Sequence, residues 1–227
     1  MNQAVYGALL FVLVLAVLLC LNLFRQKLTI HLKAILYCRN DPQLYLQVLT
    51  TPHLKLIFRP VGILLLELDG WLYIGSENEI EALIHRLENC KMKPAEKLEF
   101  LQKKISYYVS AQKKEQAVSA YHELDTMIGK AGSEKYKKIL REAELLIDVY
   151  LNQNTNLIGR LIAYSEQQHD SKGRGITQYR VAKLAYFKKD WKLMNQFLSL
   201  AQENLKNTEW QSIIELALKD NQILEVK

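Results

Sequence analysis

The chain begins with a long apolar stretch that contains no charged side chain. Residues 1–24 hold no Asp, Glu, Lys or Arg, and the run from Ala4 to Leu21 is almost entirely Ala, Val, Leu and Phe. A helix of about 18–21 such residues, rising ~1.5 Å per residue, covers the ~30 Å hydrocarbon core of a bilayer. A helix also satisfies its own backbone hydrogen bonds in lipid. The pattern therefore predicts a transmembrane anchor over residues 1–24.

A buried core helix and a cleaved signal peptide are the alternative interpretations of this stretch. A signal peptide requires a basic residue before the apolar run and a small-x-small cleavage site after it. Here Met1-Asn2-Gln3 precedes the run and Leu21-Asn22-Leu23-Phe24-Arg25 follows it. Neither flank has the required features, so we expect an anchor that is retained.

From Pro94 onward, apolar residues recur at i, i+3, i+4 and i+7, which is typical of amphipathic helices. All four prolines lie at or before residue 94. Because proline interrupts helices, its absence from residues 95–227 favours long ones. We therefore place a boundary near Lys91–Pro94 and predict a helical domain over residues 93–227. The predicted helices cover 95–111, 114–128, 134–152, 155–169, 175–188, 191–205 and 208–219.

The segment that follows the anchor is predicted to continue as helix. Residues 25–39 have the pattern of a basic juxtamembrane helix. Asp41-Pro42 is typical of an N-cap followed by proline at the first helical position, so a second helix is expected to about Leu49.

Residues 54–74 contain three short apolar runs that resemble strands. Asp69-Gly70 lies between the last two runs and is typical of a two-residue hairpin turn. Ser76 and Glu79 then have the spacing of a capping box for a helix to about residue 89. The pattern predicts a small α+β element over residues 40–92, with an antiparallel hairpin close to the membrane. Insertion of Val61–Leu68 into the membrane interface is the alternative, which Glu67 and Asp69 disfavour.

Two stretches of the helical domain resemble the tetratricopeptide repeat, a helix-turn-helix unit of ~34 residues. In the first stretch, Leu98–Leu124, the matching residues are Ile105, Tyr108, Ala117, Tyr121 and Leu124. In the second they are Ala182, Tyr186, Asp190-Trp191, Met194 and Ala201. Lys135–Gln168 repeats the helix pair without the signature residues. The resemblance implies stacked helix pairs with a concave face that binds a peptide or another protein. A generic α-helical bundle is the alternative.

Together the patterns predict a mostly α protein with three parts. These are the N-terminal transmembrane helix, the membrane-proximal α/β element and the tetratricopeptide-like array. With 49% hydrophobic residues among 227, the chain is too apolar for a disordered protein. Its three cysteines are too few for a disulfide framework.

The charges beside the anchor predict its orientation. Arg25, Lys27, Lys33 and Arg39 follow the anchor, and residues 25–39 contain no acid. Positive charge stays on the cytoplasmic side of a membrane. We therefore expect a single-pass protein of the cell membrane, with its N-terminus outside and the helical domain in the cytoplasm. The same four side chains would also be attracted to anionic headgroups, by ~1 kcal/mol per charge near the surface.

Candidate chemistry is sparse. The five histidines are scattered, and there is no His-x-x-x-His or Cys-x-x-Cys pair. His85 and Glu88 lie one turn apart, but a surface pair is favoured over a metal site. Lys172-Gly173-Arg174-Gly175 is interpreted as a helix–helix turn rather than an anion nest. No basic tract with interleaved aromatic residues indicates nucleic-acid binding. We expect no catalytic residues, no metal and no cofactor.

The function predicted from these features is that of a membrane-anchored scaffold or adaptor that binds a protein or peptide. The register of the array places five residues on the concave face, with ordinary core packing as the alternative for the tyrosines. These residues are Gln102, Ser106, Tyr179, Lys183 and Tyr186. The alternative function is an enzyme, or an accessory subunit of one, with a site between the small sheet and the helices. The identity of the partner and the oligomeric state do not follow from the sequence.

Overall fold

The computed structural model describes residues 2–129 and 133–226. Helices account for 82% of the described residues, and none of these residues lies in a β-strand. Within these ranges the α-helices are numbered α1 to α13 in chain order. They belong to two compact units, Met1–Phe100 (unit 1) and Leu101–Lys227 (unit 2).

The first helix of unit 1 contains the apolar stretch. α1 is continuous over Asn2–Tyr37, so the predicted anchor and the predicted juxtamembrane helix are one element. Its segment Leu10–Tyr37 is long and apolar enough to cross a membrane, and no second helix in the described ranges qualifies. Its large apolar side chains between Leu10 and Phe24 are exposed wherever they are described. A helix with apolar residues on all sides suits lipid better than water.

Prolines begin the helices that follow in unit 1. α2 is Pro42–Leu49, α3 is Pro52–Ile57, α4 is Pro60–Ile74 and α6 starts at Pro94, while α5 covers Glu77–Glu88. Proline suits the first helical position because its fixed φ is helical and its missing N–H is not needed there. As predicted, the Asp41 carboxylate caps α2, where it accepts a hydrogen bond from the Leu44 N–H at 2.9 Å.

The end of α1 is part of the core of unit 1. Apolar side chains from α1, α2, α3 and α4 form one buried cluster, which contains Leu32, Ile35, Leu36, Tyr45, Leu49, Leu54, Ile63 and Leu66. The buried Tyr45 hydroxyl donates a hydrogen bond to the Leu66 carbonyl at 2.9 Å. This bond satisfies the polar end of a ring that burial would otherwise penalise.

The predicted antiparallel hairpin is wrong. α4 passes through Asp69-Gly70 without a turn, and both residues are buried. A Cβ at position 70 would lie 2.7 Å from Leu46 Cδ2 and 3.1 Å from Tyr45 Cδ1. Glycine therefore serves close packing of α2 against α4, and residues 40–92 form a helical element in place of the α+β element. Ser76 precedes α5 as expected, although its side chain makes no capping hydrogen bond.

Unit 2 is a succession of helices. After the rest of α6, which ends at Ser110, the helices are α7 (Lys114–Ile128), α8 (Glu134–Tyr150), α9 (Ile158–Gln167), α10 (Ser171–Phe187), α11 (Trp191–Asn204), α12 (Gln211–Lys219) and α13 (Ile223–Val226). A 3-10 turn at Thr155–Leu157 leads into α9. The seven helices predicted between residues 95 and 219 are present, and α13 is an addition that the pattern did not predict.

Candidate partner-binding surface

α10 is the most buried helix of unit 2. Every residue from Thr177 to Ala185 is buried. Helices α8, α9, α11 and α13 all contact α10. Burial of a polar group without a partner costs free energy. The polar side chains on α10 therefore need hydrogen-bond or charge partners from the surrounding helices.

Lys183 of α10 is 1% exposed. Its Nζ donates a hydrogen bond to the Leu224 carbonyl at 2.6 Å. The same Nζ lies 5.2 Å from the ring centroid of Tyr150 and 5.6 Å from that of Phe187. Burial lowers the pKa of Lys183 to about 8. The amine therefore occupies an aromatic-walled site and is bound to a main-chain carbonyl of α13.

Arg180 of α10 is paired with a carboxylate on α8. Its Nη1 donates to Glu142 Oε2 at 3.2 Å, and its Nη2 donates to Glu142 Oε1. The Arg180 side chain is 7% exposed. Its Nε has no hydrogen-bond partner within the described part of the chain.

A surface cleft opens where α8, α9 and the first half of α10 meet. It consists of two adjoining cavities of about 300 Å³ and 440 Å³, which share Lys138, Glu142 and Tyr164. We call it the α8–α9 cleft. Its lining residues also include Arg141, Glu144, Leu145, Arg160, Leu161, Gln167, Gln168, His169, Asp170, Gly173, Ile176, Thr177 and Arg180. Tyr164 is 42% exposed, so an aromatic ring is presented to solvent at the junction of the two cavities.

Cations on the lining of the α8–α9 cleft are only partly neutralised. Arg141 lies 3.5 Å from Glu134, and Arg180 is paired with Glu142. Lys138 and Arg160 are exposed, and no described carboxylate lies within 4.0 Å of either one. The electrostatics of the cleft therefore favour a ligand that brings carboxylates.

The acidic residues of the cleft are fewer than its cations, and two of them are engaged in the fold. The Asp170 carboxylate caps α10, where it accepts a hydrogen bond from the Gly173 N–H at 2.8 Å. Glu142 is held by Arg180, which leaves Glu144 as the third carboxylate of the lining. These residues limit the positive charge of the cleft without reversing it.

The residues predicted to line a concave groove differ in their exposure to solvent. Gln102 and Ser106 are exposed on α6. Tyr179 and Lys183 are each 1% exposed, so the expectation that they are open to solvent is wrong. Tyr186 is half-buried, with its ring 5.7 Å from that of Trp191. Lys183 is covered because α13, which the pattern did not predict, lies on α10.

The other candidate motifs lie on or just after α10, α5 and α1, and one of them differs from its expected setting. Lys172 and Gly173 belong to the first turn of α10 rather than to a helix–helix turn, since α10 begins at Ser171. Lys172 Nζ binds Glu209 at 2.7 Å. His85 and Glu88 are on α5, and no group of three or more His, Cys, Asp or Glu in the described ranges could hold a metal ion. Arg25, Lys27 and Lys33 are exposed on α1, and Arg39 is exposed just after it.

No protein-family model matches this sequence, and no curated protein or solved structure matches it. The resemblance to tetratricopeptide repeats therefore stays a prediction. The second stretch of that resemblance falls on α10 and α11, which pack closely together. Ala182, Met194 and Ala201 of this stretch are buried.

The α8–α9 cleft is the functional feature that the sequence reasoning missed. Its charged residues lie on the polar faces of amphipathic helices, where they resemble ordinary solvated side chains. The spacing of charged and aromatic residues along α8 and α9 does give one indication of the cleft. Lys138 and Arg141 are three residues apart on α8, and Arg160 and Tyr164 are four apart on α9, so each pair shares a helix face.

Proposed function

We propose that this chain is a membrane-anchored interaction module that binds a segment of another protein in the α8–α9 cleft. The observation that carries the proposal is the continuity of two cavities through Lys138, Glu142 and Tyr164. A cleft shared by three helices accommodates an extended peptide, and an exposed tyrosine at its centre is a typical binding anchor.

The charge of the cleft supports an acidic partner segment. Lys138 and Arg160 are exposed cations on the lining of the cleft, to which the paired guanidinium of Arg180 also belongs. Arginine is well suited to carboxylates because its guanidinium donors match their geometry. The partner segment we propose therefore carries at least two Asp or Glu residues beside an apolar residue that packs on Leu161 or Tyr164.

The membrane anchor supports a role at the cell membrane. α1 carries the candidate membrane-spanning segment, and Arg25, Lys27 and Lys33 follow its apolar part without an acid between them. By the positive-inside rule, the part of the chain that follows the apolar stretch of α1, including all of unit 2, lies in the cytoplasm. Anchoring confines the module to the membrane surface, where it would recruit its partner. The alternative, an enzyme site between a small sheet and the helices, has no sheet to form it among the described residues.

Site-specific photocrosslinking in native membranes tests this function. A photoreactive phenylalanine derivative replaces Tyr164 in the full chain, and Gln196, an exposed residue on α11, provides the matched control position. We expect a crosslinked protein at position 164 that is absent at position 196. The product should be lost when Lys138→Glu and Arg160→Glu are combined with the probe.

Two results would contradict the proposal. One is the absence of any crosslinked protein at position 164 in membranes that contain the correctly inserted chain. The other is an identical set of products at both positions, which would indicate random collision. Circular dichroism of the charge-reversed variant confirms that its helix content is unchanged.

A further inference from the structure

The last residues of the chain lie on α10. α12 ends at Lys219, and residues 220–222 connect it to α13. We call residues 221–226 the C-terminal segment. The Leu224 side chain is fully buried in the core of unit 2. The Leu224 carbonyl accepts the 2.6 Å hydrogen bond from Lys183.

The surface that holds this segment combines one cation with aromatic and apolar groups. Lys183 of α10 binds the Leu224 carbonyl, and its Nζ lies beside the rings of Phe187 of α10 and Tyr150 of α8. We call these three residues the α10 seat. They share none of the lining residues of the α8–α9 cleft. An inference about the α10 seat therefore does not rest on the function proposed for the cleft.

The contact between Lys183 and Leu224 is of a kind that many peptides can make. Lys183 binds a main-chain carbonyl, which every residue has, and the Leu224 side chain packs in the apolar core of unit 2. A purely structural core position is served better by an apolar residue, because burial of a lysine costs desolvation free energy. A buried amine directed at a main-chain acceptor is therefore suited to hold a peptide.

The backbone of the C-terminal segment is bonded locally. The Leu224 N–H donates to the Asn221 carbonyl at 3.0 Å, and the Glu225 N–H donates to the Gln222 carbonyl at 2.9 Å. The Ile223 N–H donates to the Asp220 carbonyl at 3.2 Å. Departure of the segment from α10 breaks none of these bonds. A segment whose backbone hydrogen bonds are all local opens at a lower free energy than the core does.

We propose that the α10 seat is a peptide-binding site, occupied here by the chain's own C-terminal segment. Its other ligand is a peptide of a partner protein in which a leucine follows an aliphatic residue. This pattern is that of Ile223 and Leu224, of which Leu224 is fully buried. The partner peptide and the C-terminal segment exclude each other because both place a leucine and its carbonyl at Lys183.

The test uses the chain in lipid nanodiscs and a fluorescent synthetic peptide with the sequence of residues 219–227. A variant that ends at Asp220 leaves the α10 seat open. We expect saturable binding of the peptide to this variant, and binding at least ten-fold weaker to the full chain. Leu224→Asp in the peptide should weaken binding at least ten-fold. Glu225→Gln in the peptide is the matched control, because Glu225 is exposed, and should change binding less than three-fold.

Lys183→Met in the shortened chain tests the role of the amine. We expect at least ten-fold weaker binding with unchanged helix content. A folded shortened chain that does not bind the peptide overturns the proposal. Equal binding to the shortened and full chains also overturns it, because the peptide then binds elsewhere.

A shortened chain that fails to fold is replaced by the full chain with Leu224→Asp, which loosens the segment without removing it. The same peptide should then bind at least ten-fold tighter to this variant than to the unaltered chain. Hydrogen exchange of the unaltered chain gives an independent measurement. Exchange of residues 223–225 at least 100-fold faster than that of Val181 and Ala182 supports a detachable segment. Equal exchange rates show that the segment belongs to the core and overturn the proposal.

Discussion

Gly175 of α10 and Leu205, at the end of α11, are so close that no other residue type fits at position 175 without a shift. A Cβ on Gly175 would lie 2.5 Å from Leu205 Cγ and 3.0 Å from Asn204 Cβ. Both atoms are near the main chain, so a side-chain rotation gives little relief. The glycine therefore allows α10 and α11 to cross at short range.

We predict that Gly175→Ala destabilises the chain by about 1–3 kcal/mol, as expected for overpacking at a close helix crossing. Gly159 provides the matched control, because it lies within α9 and a Cβ there meets no atom within 4 Å. Gly159→Ala should be neutral or stabilise by about 0.5–1 kcal/mol. Denaturation of both variants in detergent, followed by circular dichroism, measures the difference. Equal midpoints for the two variants would refute the close crossing.

The buried amine of Lys183 predicts a pH dependence of stability. Its pKa is lowered to about 8 in the folded chain, from 10.5 in the unfolded chain. Between these values the unfolded state binds more protons than the folded state. The free energy of unfolding therefore rises with pH above 8, by at most about 1.4 kcal/mol per pH unit. Urea denaturation between pH 7.5 and pH 9.5 measures this slope.

Lys183→Met is the control for the pH prediction. It removes the titrating group and should give a flatter curve over the same range. Burial raises the pKa of the facing Tyr150, so this tyrosine stays neutral throughout the range. An identical slope in the two proteins would assign the pH dependence to other groups.

Glu142 is predicted to matter more for stability than other paired glutamates. Glu142→Gln leaves the buried guanidinium of Arg180 without its counter-ion, and we expect a loss of about 1–2 kcal/mol because Glu142 itself is half-exposed. Glu134 also pairs with basic side chains, Lys137 and Arg141, but all three are well exposed. Glu134→Gln should leave the melting temperature unchanged. A larger loss of stability from Glu134→Gln than from Glu142→Gln would contradict the prediction.

The orientation of the chain is open to a direct test. A reporter that is active only outside the cytoplasm, fused after Lys227, should give no signal. Transfer of the basic residues from the C-terminal to the N-terminal side of the anchor should reverse the orientation. Arg25→Ser and Lys27→Ser, combined with two lysines inserted before Ala4, are expected to produce a strong signal. A strong signal from the unaltered chain would show that unit 2 lies outside.

The helices of unit 2 could be predicted from the sequence because each has one apolar face and one polar face. The predicted range 114–128 coincides with α7 (Lys114–Ile128), and the prediction for α11 differs from Trp191–Asn204 by one residue. α10 was harder to delimit, because Gly173 and Gly175 suggested a turn where Asp170 in fact caps a helix.

The predicted hairpin failed for a physical reason that local patterns do not show. Val61, Ile63, Leu65, Leu66 and Leu68 of α4 are all buried, so the helix has no polar face to produce a helical period. A continuous apolar run of this kind fits a buried strand and a buried helix equally well. Only the close approach of Leu46 shows why Gly70 is a glycine.

The candidate sites depend on contacts between residues far apart in the chain. Lys183 and Leu224 are 41 residues apart, and no sequence pattern links them. A repeat register places Lys183 on a face of α10, but it does not show that the last turn of the chain covers that face. The α8–α9 cleft likewise combines residues of α8, α9 and α10, whose arrangement side-chain spacing does not determine.

The continuity of α1 has a mechanical consequence for a chain held in a bilayer. Its 36 residues form a rod of about 54 Å at ~1.5 Å per residue, whereas the hydrocarbon core is ~30 Å thick. The remaining length ends in the packed cluster of unit 1, through Leu32, Ile35 and Leu36. Because the helix is continuous, it has no flexible joint at the membrane surface. In a thinner bilayer the helix tilts, and the cluster packed on its end tilts by the same angle. We therefore expect membrane thickness to affect the orientation of the cluster that contains Leu32, Ile35 and Leu36.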